Sequence, residues 1–302
     1  MNDTLVSFVL ITYNQEKYIA DALTSALSQN YSNLQIIVSD DASTDNTAKI
    51  IKSMMTNHNF LFIENKENKG LVGNLNHAFS FVKGEVIVVM AGDDISMPNR
   101  VNKIKDIFIR QPEISCVYSD TLDIDSNGNT IPNSSYGYKY YKRNGKITID
   151  RHLMENLGIL GCSAAFRKSL IQQPLPFFLP SEDKILTLRA LLKGEIFFIN
   201  EKLVKYRLGT GISNNLNKKN KLEYIKALKA RVLTIDGYIL ELTNIDTSEY
   251  KVKIKKLRKI KSYLSSSLEI MENNKLSLPK YFFSLQSIKL KDKIRFLYYK
   301  FI

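Results

Sequence analysis

The chain has 302 residues, 44% of them hydrophobic, and its 43 Lys and Arg against 30 Asp and Glu give a formal net charge of +13. This length allows one large domain, or one domain with an appendage, around a sizeable core. The two cysteines form no CxxC pair and the three histidines have no metal-ligand spacing. Both observations argue against a disulfide framework or a zinc site and fit a reducing cytoplasm.

No apolar run of the sequence reaches the ~18 residues that a membrane-spanning helix needs. The first apolar run, in MNDTLVSFVLITYN, has no basic segment before it and breaks at Thr12 and Asn14. It therefore predicts a strand rather than a signal peptide. We expect a protein that is not integral to a membrane.

Strand-like and helix-like segments alternate over the first 120 residues. The strand-like runs are Val6–Ile11, Leu34–Val38, Phe60–Ile63, Val86–Met90 and Ser115–Tyr118. The helix-like segments are about Tyr18–Gln29, Thr44–Met55, Leu71–Val82 and Met97–Ile109. This order predicts an α/β, Rossmann-like, mostly parallel sheet flanked by helices. In the usual strand order 3-2-1-4, strands one and four flank a ligand-binding crevice at their carboxyl ends.

The rest of the chain divides into a less regular part and a basic helical part. A helix at Glu182–Leu192, strands at Ile196–Ile199 and Leu203–Leu208, and two long helices at about Lys221–Leu242 and Glu249–Asn273 are predicted. Residues 214–302 hold 20 Lys or Arg and 8 Asp or Glu, whereas residues 1–213 hold 23 and 22. We therefore expect one domain over 1–213 and a basic helical region over 214–302, with different functions.

Polar residues follow three of the predicted strands, where they would face one site. Strand one ends in Thr12-Tyr13-Asn14, strand two in Asp40-Asp41, and strand four in Asp93-Asp94. Helix capping accounts for Ser43 to Asp45 after strand two, but not for Asp40 and Asp41. A carboxylate at that strand end can accept the N3–H of a uracil ring or a ribose hydroxyl, and Tyr13 can stack on the base.

The pair Asp93-Asp94 has two interpretations. Acidic residues commonly leave a strand and cap the next helix, which Pro98 could open. Alternatively, the pair holds Mg²⁺ or Mn²⁺, which take oxygen ligands and leave room for substrate phosphates. Such a metal would neutralise the charge that develops on a departing diphosphate.

Three other candidate functional features also have a structural interpretation. Gly70 is part of a glycine-containing turn or allows close backbone approach to a ligand. Glu182-Asp183, after a Ser181 cap, either stabilises a helix start or supplies a general base. Arg189, two turns later, is either a partner for a phosphate or an acid, or a solvated surface charge.

The absence of known signatures removes several enzyme classes. No GxGxxG follows strand one, no GxxxxGK[ST] occurs, and neither HExxH nor GxSxG is present.

In the basic region, apolar stripes predict a helical hairpin packed on the domain over 1–213. The surplus charge and the ending SIKLKDKIRFLYYKFI favour an anionic membrane surface over nucleic acid, for which no binding motif is present.

Over about residues 5–210 the sequence resembles the family 2 glycosyltransferases of GT-A fold, which are inverting, metal-dependent enzymes that use nucleotide sugars. Four motifs carry the resemblance: Thr12-Tyr13-Asn14, Asp40/Asp41/Ser43/Asp45, Asp93-Asp94 and Glu182-Asp183. The chain departs from the family at Ala91, where many members have an acid. It also departs after Tyr206-Arg207, where the usual histidine is missing.

The resemblance implies a role for each motif. Tyr13 and Asp41 would hold the nucleobase, Asp93 would lie near the ribose or sugar, Asp94 would bind Mn²⁺ or Mg²⁺, and Asp183 would be the catalytic base. The remaining site residues implied are Thr12, Asn14 and Gly70 on the nucleotide-sugar side, Asp93 as a second metal ligand, and Glu182 and Arg189 on the acceptor side. The nucleotide-sugar half would cover about 1–120 and the acceptor half about 121–213.

The implied function is a hexosyl transfer from a nucleotide-diphosphate donor, with UDP favoured, to a glycan or polyprenyl-linked acceptor. The implied context is the synthesis of cell-surface polysaccharide, such as lipopolysaccharide or capsule, at the inner face of the cell membrane. Two alternatives stay open: a sugar nucleotidyltransferase, and a non-catalytic nucleotide-sugar-binding protein of the same fold.

Overall fold

A computed structural model describes residues 4–134, 137–138, 141–142, 145–210, 221–245 and 247–273. The chain divides into two compact units. The first comprises Met1–Phe177 with Ser181–Asn215, and the second comprises Phe178–Pro180 with Leu216–Ile302. No helix among the described residues is long and apolar enough to cross a membrane.

The first unit is built on one sheet, which has eight strands in the part of the chain that is described. They are β1 Val6–Thr12, β2 Leu34–Asp40, β3 Leu61–Glu64, β4 Val86–Ala91, β5 Ile95–Ser96, β6 Ile114–Ile124, β7 Ala165–Arg167 and β8 Glu195–Arg207. Their order is β3-β2-β1-β4-β7-β6-β8-β5. Strands β1 to β4 are mutually parallel, so the predicted order 3-2-1-4 is confirmed. Strand β7 is antiparallel to both of its neighbours.

Six continuous helices within the described residues surround this sheet. They are α1 Ile19–Leu27, α2 Thr47–Met54, α3 Gly70–Phe79, α4 Arg100–Arg110, α5 Ile149–Glu155 and α6 Asp183–Lys193. Strand β1 is buried along its whole length, which explains its largely apolar sequence. Helix α1 buries Ile19, Ala22, Leu23 and Ala26 in the same core. The alternation of strands and helices therefore produces the expected α/β architecture.

The structure corrects two predictions near the end of this unit. The separate strands predicted at Ile196–Ile199 and Leu203–Leu208 are one strand, β8. Its pairing with β6 shifts register between Ser119 and Thr121, and this irregularity accommodates the polar residues that interrupt the apolar pattern. Strand β7 was not predicted, because three residues are too few to show a periodicity.

The second unit contains a helical hairpin, α7 Lys221–Thr243 and α8 Ser248–Asn273, whose helices pack on each other. Buried side chains lie along both helices, among them Leu228, Ile235 and Leu242 on α7 and Leu257, Ile260 and Leu264 on α8. Lys261 and Asp236 join the helices in an ion pair at 2.6 Å. The predicted hairpin is thus present, and near its start Leu222 is 58% exposed.

Candidate active site

The three polar clusters meet at the carboxyl edge of the sheet. Thr12 pairs with Asp40 across β1 and β2, and Ile11 pairs with Ala91 across β1 and β4. Because these strands are parallel and in register, the residues that follow them lie side by side. The sequence-based expectation that these clusters share one site agrees with this arrangement.

Asp40 stabilises the turn after β2. Its carboxylate accepts hydrogen bonds from the Ser43 N–H, at 2.9 Å, and from the Ser43 hydroxyl. Burial raises the pKa of Asp40. As expected, helix capping does not account for Asp40, which stabilises this non-helical turn instead. Helix α2 begins only at Thr47, so Ser43 and Thr44 are not its caps.

Asp41 is buried beside the start of helix α3. Its Oδ1 accepts hydrogen bonds from the Lys69 N–H at 2.8 Å and from Asn65 Nδ2 at 3.1 Å. Gly70, the next residue, has φ +71° and donates its N–H to Asn68 Oδ1 at 3.0 Å. The left-handed backbone explains why a glycine occurs there. A carboxylate in this position can accept a hydrogen bond from a nucleoside, and that role stays a prediction.

Asn14 is held by hydrogen bonds within the fold, whereas the side chain of Tyr13 is exposed. Asn14 donates its N–H to Ser43 Oγ at 2.8 Å, and its side-chain oxygen accepts the Thr44 N–H at 2.8 Å. Asn14 therefore ties the β1 loop to the β2 loop. Tyr13 is 45% exposed, which leaves its ring accessible for stacking.

Asp93 and Asp94 lie buried in a turn that begins at the end of β4. Asp93 Oδ2 accepts a hydrogen bond from Thr210 Oγ1 at 2.8 Å, and Asp94 Oδ1 accepts the Arg207 N–H at 3.0 Å. Burial raises the pKa of both carboxyls, and the charge of Asp93 raises that of Asp94 further. Helix α4 begins at Arg100 with Asn99 at its N-cap position, so the capping interpretation of this pair was wrong.

Two buried arginines support the acidic turn, and sequence reasoning assigned neither to it. Arg207 Nε donates to the Asp93 carbonyl at 2.9 Å, and its guanidinium lies 4.4 Å from the centre of the Tyr18 ring. Arg100 donates Nη2 to the carbonyls of Val89, at 3.0 Å, and Cys162, at 3.4 Å. Burial lowers the pKa of Arg100 to about 10, so it remains a cation at neutral pH.

Arg100 left a detectable signal in the sequence. It shares one face of α4 with Ile104 and Phe108 at four-residue spacing, and all three side chains are buried. A charged residue in an apolar stripe implies a buried partner. Arg207 and Thr210 gave no such signal, because their contacts with the acidic turn span more than a hundred residues of sequence.

The donor set at this turn fits a hard divalent cation. Two adjacent buried carboxylates repel each other, and a cation relieves that repulsion. The described residues contain no cluster of three or more His, Cys, Asp or Glu side chains that would hold a metal alone. Magnesium is usually held by one or two carboxylates together with substrate phosphates and water, which matches a pair such as Asp93 and Asp94.

The second acidic pair lies at the start of α6, which begins at Asp183. Ser181 does not cap this helix; its hydroxyl donates to Asp183 Oδ1 at 2.6 Å. Lys184 Nζ lies 3.8 Å from Asp183 Oδ2. Burial and the neighbouring Asp183 charge raise the pKa of Glu182 to about 7.

The 3-10 turn Gly161–Ser163 lies beside Glu182 and Asp183, and it is close enough to Asp94 for the charge of that carboxylate to act on Cys162. A Cβ on Gly161 would be 3.1 Å from Glu182 Oε1 and 3.7 Å from Asp183 Cβ. On the other side, the Cys162 carbonyl accepts the Arg100 bond, and burial and the Asp94 charge raise the pKa of the Cys162 thiol. This short turn therefore links the residues around Glu182-Asp183 with the residues around Asp93-Asp94.

Arg189 stabilises a loop. It is 7% exposed, and its guanidinium donates to the carbonyls of Leu170 at 3.0 Å, Gln173 at 2.6 Å and Pro174 at 3.0 Å. The interpretation as a solvated surface charge was therefore wrong. These bonds give no support to a phosphate contact, and the acceptor-side role of Arg189 stays a prediction.

Gly92 allows the close approach of β4 to β1 at the site. A Cβ there would lie 2.7 Å from Thr12 Oγ1 and 2.9 Å from Thr12 Cβ. We expect Gly92→Ala to lower the free energy of unfolding in urea by about 1–3 kcal/mol, because the buried Thr12 cannot move away. Gly161→Ala is the matched control, since its Cβ would meet only the end of a flexible side chain, and it should stay within about 0.5 kcal/mol. If Gly92→Ala were as stable as the wild type, the close packing of Gly92 against Thr12 would be contradicted.

The raised pKa of Glu182 predicts a pH dependence of stability. A carboxyl group with a higher pKa in the folded state than in the unfolded state binds more protons when folded. Its contribution to stability is therefore complete below the unfolded value of 4.5 and is lost as the pH rises through about 7. We expect urea unfolding of Glu182→Gln to show a smaller loss of stability between pH 5 and pH 8 than the wild type. If the free energy of unfolding changed with pH in the same way in both proteins, the raised pKa of Glu182 would be contradicted.

The fold and the site together define a GT-A glycosyltransferase domain, and comparison with known proteins gives the family. The family model described as "Glycosyl transferase family 2" matches residues 7–173. The chain is 31% identical to the Escherichia coli UDP-Glc:alpha-D-GlcNAc-diphosphoundecaprenol beta-1,3-glucosyltransferase WfgD over 251 residues, which cover 80% of this chain and 94% of WfgD. The chain belongs to glycosyl transferase family 2.

Other similarities are partial or concern the fold alone. A segment covering 46% of the chain is 34% identical to the chondroitin synthase of Escherichia coli, of whose length it spans only 20%. Staphylococcus aureus TarS 1–349 in complex with UDP-GlcNAc matches with a TM-score of 0.59 and 19% identity over 98% of this chain and 79% of that one. The Pyrobaculum calidifontis mannosyltransferase PcManGT, in complex with GDP-Man and Mn²⁺, matches with a TM-score of 0.59 and 16% identity over 99% and 83%.

Proposed function

We propose that the protein is an inverting glycosyltransferase that moves a sugar from a nucleotide-diphosphate donor to a hydroxyl group of a lipid-linked glycan. One observation carries the proposal: the turn Gly161–Ser163, which lies beside the acidic pair at the start of α6, is also within reach of the charge of Asp94 at the carboxyl edge of the sheet. A transferase of this kind needs one acidic group near the leaving diphosphate and another near the attacking hydroxyl.

The donor binds at the ends of β1, β2 and β4. Tyr13 stacks on the base, and Asp41 accepts a hydrogen bond from the base or ribose. Thr12, Asn14 and Gly70 shape the surrounding backbone. UDP is the favoured nucleotide, supported by the UDP-Glc in the name of WfgD and the UDP-GlcNAc in the TarS complex, whereas PcManGT contains GDP-Man.

Asp94, assisted by Asp93, would hold a divalent ion, Mn²⁺ or Mg²⁺. When bound, such an ion supplies positive charge that stabilises the departing nucleoside diphosphate. Arg207 positions Asp94 through its backbone N–H. The Mn²⁺ in the PcManGT complex supports a divalent ion for this fold.

Asp183 is the general base. It takes the proton from the acceptor hydroxyl, whose oxygen forms a bond to the anomeric carbon as the bond from that carbon to the diphosphate oxygen breaks. Attack comes from the face opposite the diphosphate, so the configuration inverts in one step without a covalent enzyme intermediate. Ser181 fixes the orientation of the Asp183 carboxylate by its hydrogen bond.

The acceptor is a sugar carried on a polyprenyl diphosphate, and the product is a precursor of surface polysaccharide. The name of WfgD supports this class of acceptor, since the match spans 80% of this chain and 94% of WfgD. On this basis residues 1–120 form the donor half and residues 121–213 the acceptor half, which includes Glu182 and Arg189. The enzyme then works at the inner face of the cell membrane.

A donor panel tests the proposal. The full chain is incubated with Mn²⁺ and UDP-, GDP- and dTDP-sugars, with and without a polyprenyl-diphosphate-linked GlcNAc acceptor. Release of a nucleoside diphosphate that the acceptor accelerates supports the proposal. Release of pyrophosphate would indicate a sugar nucleotidyltransferase. Tight UDP binding without turnover on any acceptor would indicate a non-catalytic binding protein.

A further inference from the structure

One side of helix α8 is buried and the opposite side is exposed. Its buried side holds Leu257, Ile260 and Leu264. The other side exposes four cationic residues within five positions, Lys255, Lys256, Arg258 and Lys259, which we call the basic face. Packing of the hairpin therefore gives no reason for the charges on this face.

Ion pairing does not explain the basic face either. Elsewhere in the hairpin, lysines are paired with carboxylates: Lys226 with Glu223 at 3.1 Å, Lys229 with Glu272 at 2.6 Å, Lys253 with Glu249 at 3.3 Å and Lys261 with Asp236 at 2.6 Å. No acidic partner among the described residues pairs with any member of the basic face. Like charges three and four positions apart on a helix destabilise it, so this arrangement is costly unless an external anion compensates it.

The shape and chemistry of the basic face fit a flat anionic surface. Helix α8 has 26 residues and is about 39 Å long at a rise of 1.5 Å per residue. Val252, on the same side of the helix, is 57% exposed among the lysines. An apolar side chain among cations is suited to the boundary between lipid headgroups and acyl chains. No aromatic side chain on the basic face offers a stacking platform for nucleic acid bases.

The sequence after α8 has the same character. Residues 274–302 contain seven Lys or Arg, one Asp and seven Phe or Tyr. Basic residues interleaved with aromatic ones are typical of segments that bind at a membrane interface. This composition extends the charge pattern of α8 toward the end of the chain.

We infer that the basic face of α8 binds the anionic headgroups of a phospholipid membrane and so holds the enzyme at the surface that carries its acceptor. The choice of lipid over nucleic acid rests in part on the proposed function, because a polyprenyl-linked acceptor is itself membrane-bound. The binding is electrostatic, and each Lys or Arg close to an anionic membrane strengthens it by about fivefold.

Vesicle sedimentation tests this inference with the full chain. We expect binding to vesicles of phosphatidylglycerol and phosphatidylcholine at ~0.1 M salt, and no binding to phosphatidylcholine alone or at ~1 M salt. The variant K255Q/K259Q should bind the anionic vesicles about 20- to 30-fold more weakly. The control K226Q/K229Q removes the same charge from paired lysines of α7 and should lose less than about threefold.

Two results would overturn the inference: wild-type vesicle binding by K255Q/K259Q, or equal losses in the two variants. Circular dichroism and UDP binding confirm that each variant is folded. The proposed function fails separately: a protein that binds vesicles but releases no UDP with any donor keeps the membrane inference and loses the transferase. Conversely, a protein that turns over a short-chain acceptor in detergent but binds no vesicles keeps the transferase function and loses the membrane inference.

Discussion

We expect Asp183→Asn to lose sugar transfer by about 10²–10⁴-fold while binding the nucleoside diphosphate as the wild type does. The amide has the shape of the carboxylate and can still accept the Ser181 hydrogen bond, which measures 2.6 Å in the wild type. It cannot take the proton of the acceptor hydroxyl at neutral pH. The measurement is release of UDP with and without acceptor, together with a calorimetric titration of UDP in the presence of Mn²⁺.

Asp21→Asn is the control for Asp183→Asn. Asp21 is an exposed acid in the first turn of α1, so the same chemical change there should leave both turnover and UDP binding unchanged. Full activity in Asp183→Asn would remove the residue from the role of base. Glu182, whose pKa of about 7 also suits proton transfer, would then be the next candidate.

Asp94→Asn has the second largest expected effect. The remaining oxygen can still accept the Arg207 N–H, so the turn after β4 is retained. Loss of the negative charge weakens the binding of the metal, and with it the stabilisation of the leaving diphosphate. We expect kcat to fall by about 10²–10³-fold, as when one group stabilising a developing charge is removed. Turnover measured across a series of Mn²⁺ concentrations should require far more metal than in the wild type.

Asp40→Asn is the matched control for this prediction. Asp40 is also buried at the carboxyl end of a strand of this sheet, β2, but its carboxylate is already engaged by Ser43. The variant should lose stability without a change in the Mn²⁺ concentration at half-maximal rate. If Asp40→Asn and Asp94→Asn shifted that concentration equally, the metal would not be specific to the pair after β4.

The central sheet could be predicted from local patterns because its inner strands are buried on both sides. β1 and β4 therefore appear as largely apolar runs, with Ser7 the one polar residue inside β1, and the polar residues that end them mark the carboxyl edge. The parallel order of β2, β1 and β4 then places Asp41 and Asp94 at the same edge of the sheet without any further information. Strand β7 could not be predicted, because it exists only through pairing with β4 and β6.

The groups that support the acidic turn could not be found from local patterns. Arg207 reaches Asp93 and Asp94 from the end of β8, 113 positions after Asp94 in the chain. The hydrogen bonds from Ser43 to Asp40 are local, but the turn that they form is not helical, so a rule for helix caps does not predict them. Local rules recognise caps and periodicities, whereas the contacts of Arg207 depend on where the chain returns in three dimensions.

A calorimetric titration of the wild-type protein with UDP, in the presence and absence of Mn²⁺, tests the main claim most directly. The claim is that the carboxyl edge of the sheet binds a nucleoside diphosphate together with a divalent ion on Asp94. We predict saturable binding of about one UDP per chain with Mn²⁺ and much weaker binding after chelation of the metal. Equal UDP binding with and without Mn²⁺, or no binding of UDP, GDP or dTDP under either condition, would contradict it.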